Sequence, residues 1–366
     1  MPDLYVGSTN NIMNIKGMYF GTSNGVKEIG GGVNTTLCEI NSNYANSSVS
    51  TLPYEFYNGR AVVYNNEIHI LGSSSSNTYT KHYKWNGTSW TSVSTLPYAF
   101  YQGSAVVYNN EIHILGSTSG DYTKHYKWNG TSWTKVSTLP YQFYAGSAVV
   151  YNNEIHILGS SNSTAYTNHY KYDGTSWTKV STLPYDFRQG SAVVYNNEIH
   201  ILGSSNSTNR TSHYKYNGTS WASVSTLPYQ FYNSSAVVYN NEIHILGGNY
   251  DSTTYTKHYK YDGTSWTGGL NLPYSFYYGS AVVYNNQIHI LGGSSGSTAR
   301  TYHYRVHPLY DIINVTLENG KKIYGEDLVP ISNCKYEDDH IIVLNDGEVQ
   351  IGINTYHSTK YRLVVV

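Results

Sequence analysis

Short runs of alternating apolar and polar residues recur along most of this chain, and Gly, Asn, Ser and Pro separate them. Because side chains alternate between the two faces of a β-strand, this pattern predicts half-buried strands. In the unit at residues 96–136 the predicted strands are Gly103–Tyr108, Glu111–Leu115, Tyr122–Trp128 and Trp133–Ser137. Asn109-Asn110 and Asn129-Gly130-Thr131-Ser132 favour tight turns between them, since Asn and Gly tolerate positive φ. Four antiparallel strands per unit are typical of a β-propeller blade.

The unit occurs six times. Leu-Pro-Tyr begins at Leu52, Leu96, Leu139, Leu183, Leu227 and Leu272, at steps of 44, 43, 44, 44 and 45 residues. A fixed period of this length indicates a propeller or a solenoid. The sixth unit departs from the pattern after about residue 305, before its fourth strand. Residues 49–52 copy residues 93–96, so we predict that an N-terminal strand completes the last blade and closes the ring.

Different patterns lie at the two ends. A 14-residue repeat within residues 1–33 predicts two short hairpins. After residue 305, Asn319-Gly320 and Asp346-Gly347 predict two further hairpins, and residues 361–366 predict a last apolar strand, paired within its module or with another chain. We therefore predict an all-β chain in three parts: an N-terminal hairpin module for attachment at 1–33, a six-bladed propeller at 34–305, and a small C-terminal β module at 306–366.

Composition narrows the classes of partner. The charged fraction is 12 % and the formal net charge is -1, which argues against binding to nucleic acid or to a membrane surface. No apolar run reaches membrane-spanning length and no export signal is recognised, so we expect no membrane insertion. Cys38 and Cys334 lie outside the propeller repeats, which excludes a disulfide framework, and we expect free thiols.

Histidine and glutamate are the first candidates for catalysis or metal binding. Twelve of the 15 histidines fill two repeated positions, one pair in each unit. A catalytic or metal centre needs groups that converge on one point, so six equivalent pairs favour a structural role. Glutamate follows the Asn-Asn turn in five units and Gln287 replaces it in the sixth, which leaves no distinct carboxylate pair. We predict no catalytic residue, no metal site and no cofactor.

The units differ mainly in the loop that enters the first strand and the loop that leaves the second. Both loops are expected on one face, called the loop face below, with the two repeated turns on the opposite face. Aromatic, amide and guanidinium groups on a rigid scaffold suit ligand recognition, although unselected loop drift would also produce differences. The candidate binding residues are Glu55, Tyr57, Arg60, Tyr101, Gln102, Gln142, Tyr144, Asp186, Arg188, Gln189, Gln230, Tyr232, Tyr277 and Tyr278.

Residues 34–305 resemble kelch-type propellers. The resemblance rests on the glycine that closes the second strand, on Tyr126 of the third strand and on Trp133 of the fourth. The usual kelch Gly-Gly pair is present in two units, at Gly247-Gly248 and Gly292-Gly293. The other four units depart from the pattern and have Gly-Ser there. The 14-residue repeat resembles the Tyr-x-Gly…Lys-x-Val/Ile repeats of tail proteins from phages and prophages of Gram-positive bacteria, which implies attachment to a particle.

Together these features predict a non-enzymatic phage or phage-like tail or virion-surface protein whose propeller binds a host-surface glycan or another receptor. The expected partners are other virion or tail subunits, reached through the terminal modules, and a bacterial surface glycan. We expect a homo-oligomer in an assembly, located in the virion and assembled in the bacterial host cytoplasm. Two alternatives stay open: a structural decoration or baseplate protein that uses the propeller for subunit contacts, and a carbohydrate-acting propeller enzyme.

Overall fold

The structure is a computed structural model. It describes residues 48–306 with their side chains, except for 76, 119, 249–255 and 294–299, and it describes only strand backbones outside that range. Residues 46–307 form one compact unit, and residues 1–45 together with 308–366 form another. Within the described residues the fold is all-β, with a single short 3₁₀ helix at Thr298–Thr301.

Five strands precede the first complete blade: β1 (Tyr5–Val6), β2 (Ile12–Ile15), β3 (Tyr19–Thr22), β4 (Gly25–Glu28) and β5 (Thr36–Thr51). The antiparallel pairs β1–β2 and β3–β4 agree with the two hairpins that the 14-residue repeat predicts. β2 also pairs with β5.

Five four-stranded antiparallel sheets follow, one for each of the first five sequence units. Their strands are β6 (Arg60–Tyr64), β7 (Glu67–Leu71), β8 (His82–Trp85), β9 (Trp90–Ser92), β10 (Ser104–Tyr108), β11 (Glu111–Leu115), β12 (Lys124–Trp128), β13 (Trp133–Thr138), β14 (Ser147–Tyr151), β15 (Glu154–Leu158), β16 (Asn168–Tyr172), β17 (Trp177–Thr182), β18 (Ser191–Tyr195), β19 (Glu198–Leu202), β20 (His213–Tyr216), β21 (Trp221–Ser223), β22 (Ser235–Tyr239), β23 (Glu242–Leu246), β24 (His258–Tyr261) and β25 (Trp266–Gly268). These sheets are blades 1 to 5.

Blade 6 contains β26 (Ser280–Tyr284), β27 (Gln287–Leu291) and the start of β28 (Tyr302–Thr316), which pair in that order. The remaining strands are β29 (Lys322–Tyr324), β30 (Val329–Ile331), β31 (Ile341–Leu344), β32 (Val349–Ile351) and β33 (Lys360–Arg362). The antiparallel pairs β28–β29 and β31–β32 agree with the predicted C-terminal hairpins.

The two terminal segments of the chain share a sheet. β31 pairs in parallel with β3 and antiparallel with β32, and the last strand, β33, pairs with β30 in the same compact unit. The division of the chain at residues 33 and 305 stays a prediction. The expected free thiols of Cys38 and Cys334 lie outside the residues whose side chains are described.

The apolar core lies between successive blades. In the cluster between blades 2 and 3, Val106, Tyr108 and Leu115 of one blade pack with Phe143 and Ile155 of the next. Each unit contributes one fully buried phenylalanine at this place: Phe56, Phe100, Phe143, Phe187, Phe231 and Phe276. A blade therefore gains its core from its neighbours, because both faces of its sheet are apolar.

The ring closes through the N-terminal strand, as predicted. The strand order places β5 beside β28. The N–H of Leu52 donates to the carbonyl of Thr301 at 2.8 Å, which repeats the Leu139-to-Thr123 bond of 2.8 Å beside the third and fourth strands of blade 2. Ser50 Oγ lies 3.0 Å from His303 Nδ1, as Ser137 Oγ does from His125 Nδ1. The closing strand thus makes the same contacts as the fourth strand of a blade whose four strands come from one unit.

Two strand starts differ from the prediction, and the first strand of blade 2 begins at Ser104 rather than at Gly103. The third strand of blade 2 begins at Lys124 rather than at Tyr122. The carbonyl of Tyr122 accepts a hydrogen bond of 2.9 Å from the N–H of Phe143 in the next blade. Because this residue bonds across the junction, it does not continue the ladder within its own blade.

The glycine that closes each second strand is required by close packing. Gly116 has φ +61°, and a Cβ there would lie 1.9 Å from the carbonyl oxygen of Phe143. The following Ser117 is fully buried, and its hydroxyl donates to the carbonyl of Ala99 at 2.7 Å. In the four Gly-Ser units, the serine therefore bonds to the loop that enters the first strand.

We expect Gly116→Ala to lower the free energy of unfolding by at least about 3 kcal/mol, because the methyl group overlaps a backbone oxygen at a left-handed position. Gly120→Ala is the matched control: φ is +87° there, but nothing lies within 4 Å of the added Cβ. That control should cost about 1 kcal/mol. Urea unfolding checks both, and equal losses would contradict the packing explanation.

A chain that begins at residue 53 should unfold or self-associate, because it lacks the strand that closes blade 6. A chain that begins at residue 46 retains Ser50 and Leu52 and should keep a cooperative propeller transition. Melting temperature and gel filtration compare the two. A monomeric, equally heat-stable shorter chain would show that closure does not need this strand.

Candidate functional site

The strand registers assign the loops to the two ends of each blade. Tyr108 pairs with Glu111, and Trp128 pairs with Trp133, so the two tight turns lie at one end. Leu115 pairs with both Ser104 and His125, which places the variable loops at the other end. The predicted loop face is therefore confirmed as a structural feature.

The candidate residues on this face occupy three repeated positions, with Arg60 apart from them. The first position, after Leu-Pro-Tyr, holds Glu55, Gln142, Asp186 and Gln230. The second, two residues later, holds Tyr57, Tyr101, Tyr144, Arg188, Tyr232 and Tyr277. The third, one residue further, holds Gln102, Gln189 and Tyr278. Most are half-buried; Gln142 is exposed and Tyr277 is buried.

Residues of the second position pair with a side chain from the loop of the preceding blade. We call these contacts the rim pairs: Tyr101 with Tyr79 at 5.2 Å between ring centroids, Tyr144 with Tyr122 at 5.3 Å, and guanidinium-to-ring contacts of Arg188 with Tyr166 at 4.7 Å, Arg210 with Tyr232 at 5.3 Å and Arg300 with Tyr57 at 4.5 Å. Each described pair contains at least one tyrosine and at most one arginine.

The partner residues of the rim pairs were missed at the sequence level. A signal was present, because Tyr79, Tyr122, Tyr166 and Arg210 each stand 22 residues before the side chain they contact. Where one member is arginine, the other is tyrosine. Burial is the main cause that raises the pKa of Tyr57 to about 12, so its phenol stays neutral beside Arg300.

Residues of the first position bond to neighbouring loop side chains. Glu55 forms an ion pair of 3.3 Å with Arg300, and Gln230 Oε1 accepts from Arg210 Nη1 at 3.1 Å. The other two accept from asparagine amides of their own blades: Asp186 from Asn206 at 3.0 Å and Gln142 from Asn162 at 2.6 Å. These four predicted binding residues therefore have protein partners already.

Residues of the third position form a closed hydrogen-bonded ring. This axial ring consists of Asn58, Gln102, Ala145, Gln189, Asn233 and Tyr278. Every member has a left-handed φ between 51° and 61° and donates its N–H to the carbonyl of the preceding member at 2.6 to 2.8 Å. The N–H of Asn58 bonds to the carbonyl of Tyr278 and completes the circle. The ring binds the first blade to the last.

A depression of about 360 Å³, including space open to solvent, lies at the axial ring. We call it the axial pocket; the ring residues line it together with Arg60 and Ser234. Among the described residues that line the pocket, Arg60 is the only charged one, and its Nη1 donates to the carbonyl of Gly59 at 3.0 Å. Burial lowers the pKa of Arg60 to about 10, so the guanidinium remains charged at neutral pH.

The repeated histidines lie in the blades, away from the axial pocket. In blade 2, His113 Nδ1 lies 2.8 Å from His125 Nε2, and His125 Nδ1 lies 3.0 Å from Ser137 Oγ. That serine also accepts the indole N–H of Trp177 from blade 3 at 3.0 Å. Each of the six blades contains such a His–His contact. The prediction that neighbouring histidines bond between strands is confirmed by these buried contacts.

The repeated glutamates are also bonded within the blades. Glu111 forms an ion pair of 2.8 Å with Lys127, and in blade 6 Arg305 donates to Gln287 at 3.4 Å. Within the part of the chain that the structure describes, no group of three or more His, Cys, Asp or Glu residues is placed to hold a metal ion. No helix in that part is long and apolar enough to cross a membrane.

Comparison with known proteins identifies the fold. Residues 46–303 match the model of the DUF6242 beta propeller domain. The solved structure of YjhT is similar, with a TM-score of 0.59 and 16 % sequence identity over 75 % of this chain and 100 % of the YjhT chain. At that identity the likeness concerns the fold alone. The comparison with curated proteins gives no match.

The histidine pairs make stability depend on pH. Burial is the main cause that lowers the pKa of His113 to about 4 and the pKa of His125 to about 3. At His113, the charge of Glu111 opposes this lowering of the pKa and the charge of Lys127 adds to it. Unfolded histidines bind protons below their ordinary value of about 6.5, whereas the folded ones do not. Their contribution is therefore complete above pH 6.5 and is lost as pH falls towards 4 and 3.

We expect the free energy of unfolding to fall between pH 7.5 and 5.0 in urea titrations, by up to about 2 kcal/mol for each such histidine. Carboxylates with ordinary pKa values remain ionised over most of this window, so the loss reports the histidines. A stability that is constant from pH 7.5 to 5.0 would contradict the burial of neutral pairs.

Proposed function

The chain belongs to the DUF6242 beta propeller domain family, and from that premise we propose that it is a non-enzymatic binding protein whose loop face recognises a carbohydrate on a cell surface. The rim pairs carry the proposal. Half-buried tyrosine rings offer apolar faces to the C–H side of a sugar, while neighbouring amide and guanidinium groups offer hydrogen bonds to its hydroxyls.

The scaffold beneath the rim pairs favours recognition with little loss of entropy. Tyr101 and Tyr144 each directly follow a fully buried phenylalanine, Phe100 or Phe143. Each is directly followed by a member of the axial ring, Gln102 or Ala145. A side chain on so constrained a backbone loses little conformational freedom when a ligand binds. Several similar sites around one propeller, displayed in several copies, would add avidity to weak single contacts.

We further propose that the chain is a component of a phage or phage-like tail or virion surface, attached to other subunits by its terminal segments. This rests on the 14-residue repeat, whose residues resemble those of phage and prophage tail proteins. Assignment of the propeller to the kelch type belongs to the same proposal and rests on Gly116, Tyr126 and Trp133 and their counterparts in the other blades.

A second candidate function is a structural role in which the loop face contacts neighbouring subunits. The bonds of Glu55, Gln142, Asp186 and Gln230 to neighbouring side chains favour it, because these groups need no external ligand to satisfy them. In that case the rim pairs would be buried in the assembled particle and would bind no free sugar.

Tyr101→Ala with Tyr144→Ala should weaken binding to the cognate glycan by at least about tenfold, because each lost aromatic contact costs about 1 kcal/mol. Glycan arrays and host-cell binding measure the effect. Tyr101→Phe with Tyr144→Phe keeps both rings and should retain most of the binding. Unchanged binding of the alanine variant to the host envelope would refute recognition through the rim pairs.

A further inference from the structure

Arg60 occupies a position that is serine in the other five units: Ser104, Ser147, Ser191, Ser235 and Ser280. Four of these serines tie adjacent blades together near the axis. Ser104 Oγ accepts the N–H of Ala148 at 3.0 Å, and Ser280 Oγ accepts that of Ala61 at 3.0 Å; Ser147 and Ser235 make the same bond. Arginine has no acceptor atom, so blade 1 cannot offer this bond to Ala105 of blade 2.

Instead, blade 1 contributes a positive charge to the lining of the axial pocket. Among the described residues, no carboxylate oxygen lies within 4.0 Å of the guanidinium, in contrast to Arg300, which pairs with Glu55. A guanidinium has five N–H donors, and the bond to Gly59 uses one of its nitrogens. A partly desolvated cation without a counterion costs free energy that a bound anion would offset.

The rest of the lining is polar and suits an anion that also needs hydrogen bonds. Gln102, Gln189 and Asn233 add amide groups, and within the described chain these side chains have no hydrogen-bond partner. Their backbone groups are held in the axial ring, so the pocket is formed before a ligand arrives. The Ser234 hydroxyl donates to the carbonyl of Leu246 and is already engaged.

We propose that the axial pocket binds a small molecule through a carboxylate or phosphate group, with Arg60 as the charged contact and the amides of Gln102, Gln189 and Asn233 as further donors. A planar guanidinium fork matches two oxygens of either group. A monosaccharide acid or a phosphorylated metabolite carries such a group. Arg60 and the three amides belong to no rim pair, although Tyr278 of the pocket lining lies 5.0 Å from Tyr57 between ring centroids.

Calorimetry on the full chain at low ionic strength would test this with inorganic phosphate, glucuronate and, as the uncharged control, glucose. We expect one molar equivalent of phosphate or glucuronate to bind. Comparison of the two titrations shows whether the pocket prefers a phosphate or a carboxylate group. Glucose should bind at least tenfold more weakly than glucuronate. Arg60→Ser restores the residue of the other units, so it should weaken oxyanion binding at least tenfold while the melting temperature stays equal or rises.

Arg188→Tyr is the matched control, because it also replaces an arginine by the residue of the other units but lies in a rim pair. It should leave oxyanion binding unchanged. No binding of either oxyanion to the native chain at about 20 mM would overturn the proposal, and so would undiminished binding by Arg60→Ser. An equal loss of oxyanion binding in Arg188→Tyr would indicate that the anion binds at the rim pairs, and it would overturn the assignment to the axial pocket. None of these outcomes bears on the tyrosine variants that test glycan recognition.

Discussion

The rest of the structure depends on the contact between one blade and the next. A four-stranded blade has apolar side chains on both faces, and it cannot bury either of them alone. Val106 and Tyr108 of blade 2 reach their buried state only against Phe143 and Ile155 of blade 3. Because every blade stands in the same relation to its neighbours, an open array would leave two apolar faces and two sheet edges exposed. Closure through Ser50 and Leu52 removes both.

The same junctions hold the polar groups in place. The chain of contacts from His113 through His125 and Ser137 to Trp177 crosses from one blade to the next in a largely apolar setting. A polar group in such a setting is costly unless it is bonded, so these bonds restrict how two blades can be aligned. Histidine here acts as a neutral hydrogen-bonding residue, and its repetition reflects the repeated junction rather than a reaction.

The candidate binding surfaces are also products of the junctions. A rim pair joins a loop of one blade to the entrance of the next, and the axial ring joins all six entrances. Removal of a buried phenylalanine costs about 3 to 5 kcal/mol, whereas an exposed cation–π contact contributes about 0.5 to 1 kcal/mol. The loop face can therefore exchange Tyr for Arg without loss of the fold, and such exchange lets one scaffold present different chemistry.

The sequence alone determined the number of blades, the strands near Ser104–Tyr108 and Trp133–Thr138, the turns and the closing strand, because alternation and a fixed repeat are local patterns. It also identified Arg60 and the second-position tyrosines as candidate binding residues on the loop face. Only the tertiary structure decided which side chains and backbone groups each of them contacts. The stacking of Tyr79 on Tyr101, the bonded state of Glu55 and Gln230, the circle of six N–H groups and the isolation of Arg60 all depend on the angle between neighbouring blades. That angle is set when the ring closes, and closure brings together residues that no local pattern pairs.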